Sequence, residues 1–110
     1  MKNKLFSINC PDHIEKDYHM KDKWFINLLQ DSTDALNKIA LVDCLSETTE
    51  DWIYFAKNKY FKLAITPSTN NPLIMSFIPE KRMNFITRKF IEMDLKDFIE
   101  EQGYTLLDIS

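Results

Sequence analysis

A single glycine, Gly103, stands among the 110 residues of this chain, where average composition would supply about eight. Glycine lets a backbone take positive φ and come close to a phosphate. P-loops, dinucleotide-binding fingerprints and glycine-rich nucleotide flaps each need two or three glycines at fixed spacing. One glycine builds none of them, which removes mononucleotide chemistry from the candidate functions. Gly103 itself falls where a left-handed helix C-cap is expected, a local duty that leaves it no functional one.

The chain is read as one globular domain, 1–110, long enough to bury roughly 65% of its unfolded surface in a single core. Hydrophobic residues make up 45% of it, with eight Phe, four Tyr and two Trp to fill that core, and charged residues at 28% suit an ordinary soluble surface. Apolar runs such as 39–42 are far shorter than the ~20 residues that cross a bilayer, so neither a membrane span nor a membrane partner is expected. The N-terminal residues place lysines ahead of Leu5, Phe6 and Ile8, but Asp12 and His13 interrupt before an apolar segment of about 7–15 residues can form. They predict a first strand rather than a signal peptide. Cys10 and Cys44 are distant in a chain that needs no cross-link, which points to two free thiols in a reducing cytosol.

Apolar periodicity predicts an α+β fold: a mostly antiparallel sheet of about five or six strands with an N-terminal and a C-terminal helix packed on it. Residues 4–9 read as a strand and Pro11 opens a helix. Ile14, Tyr18, Trp24, Phe25, Leu28 and Leu29 mark its apolar face, a break or bend is expected near 19–23, and Asp31-Ser32-Thr33-Asp34 is expected to end it. Residues 36–45 suit either a helix face or a buried strand and are read as strand. Residues 52–66 carry the clearest β pattern, a hairpin turning at Asn58-Lys59 with Trp52, Tyr54 and Ala56 sharing a face with Ile65, Leu63 and Phe61, and Lys57 and Lys62 on the other. Strands are expected at 73–78 and, beyond the connection at 79–82, at 83–91. Asp94 then reads as the cap of a helix, with Asp97 three positions on and Met93 stapled to Phe98, while Leu95, Phe98, Ile99 and Gln102 face inward. A last strand covers 105–109.

Charge falls in blocks. Residues 1–38 balance, 39–56 carry net −4, 57–91 net +6 and 92–110 net −5, for −3 overall. Blocks of one sign steer charged partners more strongly than a small net charge implies. Capping accounts for Asp94 and Asp97, because carboxylates stabilise a helix N-terminus. It does not account for residues 43–51, a long acidic loop leading into Trp52, and acidic residues around an aromatic anchor suit the binding of a basic protein.

Other chemistries find less support. Cys10, His13, His19 and Cys44 could form four zinc ligands, but structural sites use two tight pairs and here only Cys10 and His13 are close; no metal and no cofactor is expected. Cys10-Pro11-Asp12-His13 contains nucleophile, base and carboxylate types, yet neighbours in sequence are not a catalytic geometry. His13 and His19 fall on one expected helix without a phosphate-binding lysine. The chain is therefore not expected to be an enzyme. Lys57, Lys59 and Lys62 interleave with Tyr60 and Phe61, and Arg82, Arg88 and Lys89 follow, as on a sheet that stacks bases. An isoelectric point near 5.3 and the missing aromatic-glycine signature weigh against nucleic acid as partner, and Phe61 is read as core.

Trp24 and Leu28-Leu29 in an early helix, an apolar strand, an acidic loop and the Trp52-Ile53-Tyr54-Phe55 hairpin together resemble small bacterial immunity proteins of polymorphic-toxin and contact-dependent growth inhibition systems. The resemblance is one of layout over about residues 14–66 and transfers no residue roles. It implies a cytoplasmic protein that neutralises a cognate toxin, often a cationic nuclease, by covering its active site or an adjacent surface. The expected partner-binding residues are Asp43, Glu47, Glu50, Asp51 and Trp52, assisted by Glu100 and Glu101. A phage or plasmid inhibitor of a host defence protein would use the same physics, and a small nucleic-acid-binding module is the remaining alternative.

Overall fold

Six strands form one antiparallel sheet in the order β2-β3-β4-β5-β1-β6, and two long helices pack on it. The computed structural model describes residues 3–80 and 83–109; Met1, Lys2 and Ser110 lie outside them, as do Lys81 and Arg82 of the basic block. In chain order the elements are β1 (Lys4–Ile8), α1 (Asp12–Glu15), α2 (Tyr18–Asn37), β2 (Asp43–Thr48), β3 (Ile53–Lys57), β4 (Phe61–Ile65), β5 (Leu73–Pro79), α3 (Phe85–Glu101) and β6 (Leu106–Asp108). The fold is α+β, as the periodicity predicts.

Alternation sets the two faces of the sheet. Phe6 and Ile8 of β1, Leu73, Met75 and Phe77 of β5, and Phe61, Leu63 and Ile65 of β4 are all buried, in one cluster with Phe25, Leu28 and Leu36 of α2 and Leu95 and Ile99 of α3. The opposite face carries Leu5, Ser7, Ile74, Ile78, Tyr54 and Lys62, all half-buried, around the fully buried Ala64 and Ser76. Lys62 there pairs with Glu80 at 3.0 Å, and that carboxylate holds its ammonium above the usual lysine range.

The hairpin forms, with a different register. Lys57 pairs with Lys62, Ala56 with Leu63, Tyr54 with Ala64 and Ile53 with Ile65. The turn is longer than Asn58-Lys59, because the Asn58 side chain accepts bonds from the amides of Tyr60 and Phe61 at 2.7 and 3.0 Å and so reaches across it. A bulge between Tyr54 and Ala56 absorbs the extra residue. It sends Tyr54 to the half-exposed face while Ala56 stays with Leu63.

Four expectations are corrected. The first helix breaks at Lys16-Asp17, ahead of the expected break or bend, since Asp17 caps a new helix by accepting from His19 N and Met20 N. That helix then runs through 31–34: Ser32 and Thr33 donate back to the Leu28 and Leu29 carbonyls at 2.7 and 2.9 Å, so their hydroxyls are satisfied inside the helix they were expected to end. Residues 36–45 are not one strand. α2 reaches Asn37, whose side chain accepts from Val42 N at 3.2 Å across the turn, and β2 starts only at Asp43. The largest correction is at 83–91, which is the first part of α3. Asn84, not Asp94, is the cap, accepting from Ile86 N and Thr87 N. Met93 is consequently mid-helix and 60% exposed rather than a staple, and Gln102 is an exposed C-cap rather than an inward residue. Gly103 does end the helix, at φ +100°.

The end of α3 is tied to α2 through Tyr104. Its ring meets Trp24 edge-on at 5.9 Å, and its hydroxyl donates to Asp31 at 2.9 Å. Burial first, and then the bond to Asp31, push the phenol above its ordinary value of 10.0. The fold thus favours the protonated phenol, so its contribution is whole below about pH 10 and is lost as pH rises further. Tyr104→Phe is expected to cost about 1 kcal/mol at neutral pH. The gap to the parent should hold constant up to about pH 10 and narrow above it in urea titrations; a gap independent of pH would remove the part-buried phenol as its cause.

Candidate functional site

The acidic segment expected as a loop is mostly strand. Residues 43–48 form β2, the edge of the sheet beside β3. Apart from half-buried Leu45 the whole strand is exposed, which explains why it carries no apolar alternation and reads as loop. Asp43 stands opposite Lys57 and Glu47 opposite Tyr54, with an irregularity in the register between Cys44 and Glu47. The connection to β3 closes on itself: Thr49 N donates to the Trp52 carbonyl at 2.8 Å and Trp52 N donates back to Thr49 Oγ1 at 3.1 Å. Glu50 and Asp51 are therefore held at the exposed tip, and Trp52 sits half-buried at its base.

Five of the seven expected residues, Asp43, Glu47, Glu50, Asp51 and Trp52, thus lie on one hairpin along one edge of the sheet. Glu100 and Glu101 do not join them. They end α3, which leads through Gly103 into β6 at the opposite edge, and five strand spacings separate the two edges by roughly 24 Å. Glu100 is also engaged with Lys96 on its own helix.

The Cys and His residues are scattered as well. Cys10 is buried after β1, with its amide donating to Asn71 Oδ1 at 3.3 Å, whereas Cys44 is exposed on β2, four strands away. His13 and His19 are exposed on different helices. Among the described residues no group of three His, Cys, Asp or Glu side chains is placed to hold a metal ion. Burial raises the Cys10 thiol pKa, with the Glu15 and Asp12 carboxylates adding to this and Lys21 opposing it, the reverse of what a nucleophilic thiolate needs. No family model, curated protein or solved structure matches the chain. Its surfaces must therefore be read by their own chemistry.

The basic block is divided too. Lys57 and Lys62 face each other on β3 and β4, but Arg88 and Lys89 are on α3, where Arg88 is mostly buried and bonds Glu92 at 2.8 Å. Phe61 is fully buried, as read from the sequence. Among the described residues no helix is long and apolar enough to cross a membrane.

A second surface has no counterpart in the sequence reading. An open cleft of about 820 Å³ lies where Ala40, Leu41 and Asp43 meet the β3–β4 turn (Asn58, Lys59, Tyr60, Phe61) and the start of α3 (Met83, Asn84, Thr87, Ile91). Its two asparagines are already committed as acceptors to the turn and the helix cap, leaving a largely apolar lining. Beside it α3 turns Phe85, Ile86, Phe90 and Met93 outward, each 60–70% exposed. Ile86, Phe90 and Met93 recur at i, i+4 and i+7, opposite the buried Leu95 and Ile99. Those two stripes on one helix are the signal that would have located the surface, and the strand reading of 83–91 concealed it.

Proposed function

We propose that this chain is a non-enzymatic inhibitor, an immunity protein that binds and neutralises a cognate basic toxin domain in the cytoplasm. The observation that carries the reading is the collection of Asp43, Glu47, Glu50 and Asp51 beside Trp52 on one exposed hairpin edge. Carboxylates spaced along an edge give the field that speeds docking of a cationic surface, and the half-buried indole at the base of the tip offers an anchor. The terminal position of β2 adds a second means of attachment, because an edge strand can take another strand onto its free side.

Charge reversal tests it. In Glu47→Lys/Asp51→Lys, association with the basic partner captured by the tagged protein is expected to slow at least about tenfold at low salt, with much of the difference lost at high salt. The parent protein should also suppress that partner's activity at equimolar ratio. Unchanged affinity in the double variant, or a stable complex that leaves the partner fully active, would overturn the reading.

A further inference from the structure

We propose that the cleft at the start of α3 is a second binding site, which takes an acidic amphipathic helix of another protein. It lies apart from the hairpin tip and does not rest on the toxin reading.

The apolar part of the argument is area. Phe85, Ile86, Phe90 and Met93, at 60–70% exposure, and Leu41 at 91% leave on the order of 500 Å² of apolar surface uncovered, comparable with the largest functional patches of monomeric proteins. Phe90 and Ile86 stand on α3 next to Thr87 and Ile91 of the cleft wall, so ridge and hollow form one relief. From Phe85 to Met93 the ridge spans about 12 Å, which an occupant matches with two to three helical turns.

The backbone decides the occupant's conformation. β3 and β4, which carry the turn at the cleft, are each paired on both sides. Among the described lining residues only Asp43, the first residue of edge strand β2, brings a free strand edge to the cleft, too short a ladder for an extended peptide, whereas a helix brings its own backbone bonds and needs only an apolar groove.

Charge decides its sign and weighs against a second copy. Lys38, Lys59 and Lys89 lie over the rings of Phe98, Tyr60 and Phe85 at 5.4, 5.0 and 5.6 Å. Lys89 has Glu92 at 3.8 Å, and among the described residues neither Lys38 nor Lys59 forms an ion pair. Asp43 is the one carboxylate in the described lining. An antiparallel pair of α3 helices centred on the Ile86-Phe90-Met93 stripe would bring Lys89 against its own copy, and like charges at close quarters disfavour that pairing. A helix with carboxylates flanking its apolar stripe satisfies both features.

The test uses two synthetic peptides of about 16 residues with identical apolar positions at i, i+4 and i+7, one flanked by Glu and one by Lys, titrated onto the full chain by fluorescence anisotropy. The acidic peptide is expected to bind at least about tenfold more tightly than the basic one. Phe90→Glu should remove binding while leaving the circular dichroism and melting temperature of the chain unchanged, since Phe90 is 61% exposed. Lys59→Glu should reverse the preference between peptides. Equal binding of both peptides, binding of neither, or a concentration-dependent dimer abolished by Phe90→Glu, which would assign the ridge to a second copy, would each overturn the proposal. Apart from Asp43, which lines the cleft, none of these results depends on the acidic hairpin.

Discussion

Phe77→Ala is expected to remove about 3–5 kcal/mol of folding stability, a third or more of what a domain of this size typically has. Phe77 is fully buried on β5, the strand between β4 and β1. It stands opposite Leu63 and Lys4 in the ladder and stacks on Phe61 with ring centroids 4.7 Å apart. Truncation removes most of the side chain, and its neighbours are fixed by strand pairing on both sides, so the cavity cannot readily collapse. Urea unfolding should show a lower midpoint at nearly the same slope. Ile26→Ala, on the 62% exposed side of α2, should change stability by no more than about 0.5 kcal/mol. A loss at Phe77 as small as that at Ile26 would contradict the register of the central strands.

The contrast between those two residues also shows what could be read in the sequence. Phe6, Leu63 and Met75 lie on strands with a buried and a solvated face, and period-two alternation reports such strands directly. β2 is exposed on both faces, so its sequence, Asp-Cys-Leu-Ser-Glu-Thr, has no reason to alternate and reads as a loop. α3 fails for the opposite reason. Its inner stripe of Ile91, Leu95 and Ile99 and its outer stripe of Ile86, Phe90 and Met93 overlap around residues 90–93, so each helical period is masked unless the two are separated. Ser32 and Thr33 mislead because a residue that favours turns can equally return its hydroxyl to the preceding helical turn.

For binding, the same reasoning found the carboxylates but not their arrangement. Charge counting collected Asp43, Glu47, Glu50 and Asp51 because they are close in sequence. It attached Glu100 and Glu101 to them only by sign, and the strand order places those two at the far edge. The cleft was beyond sequence reasoning, since its walls come from residues about 40, 60 and 85, joined only when β2 returns beside β3 and α3 crosses the sheet.

α3 holds its ridge in place through a buried ion pair, and that pair carries the second large expected effect. The Glu92 side chain is 4% exposed and accepts from Arg88 Nε at 2.8 Å, with Lys89 Nζ farther off at 3.8 Å. Arg88→Met leaves the buried carboxylate, among the described residues, with only the more distant, half-exposed Lys89 ammonium, and is expected to cost about 3 kcal/mol. The double replacement Arg88→Met/Glu92→Leu removes both charges from the interior and should recover most of that loss, because replacing a buried pair with apolar side chains of similar volume is often close to neutral. Denaturant titrations of the parent, the two single variants and the double variant close the cycle. A double variant no more stable than Arg88→Met would mean that Arg88 stabilises α3 through contacts other than its charge. Recovery would instead assign the loss to an uncompensated carboxylate, two turns along α3 from the exposed Phe85, and tie the stability of the helix that carries the outward ridge to the electrostatics of its inner side.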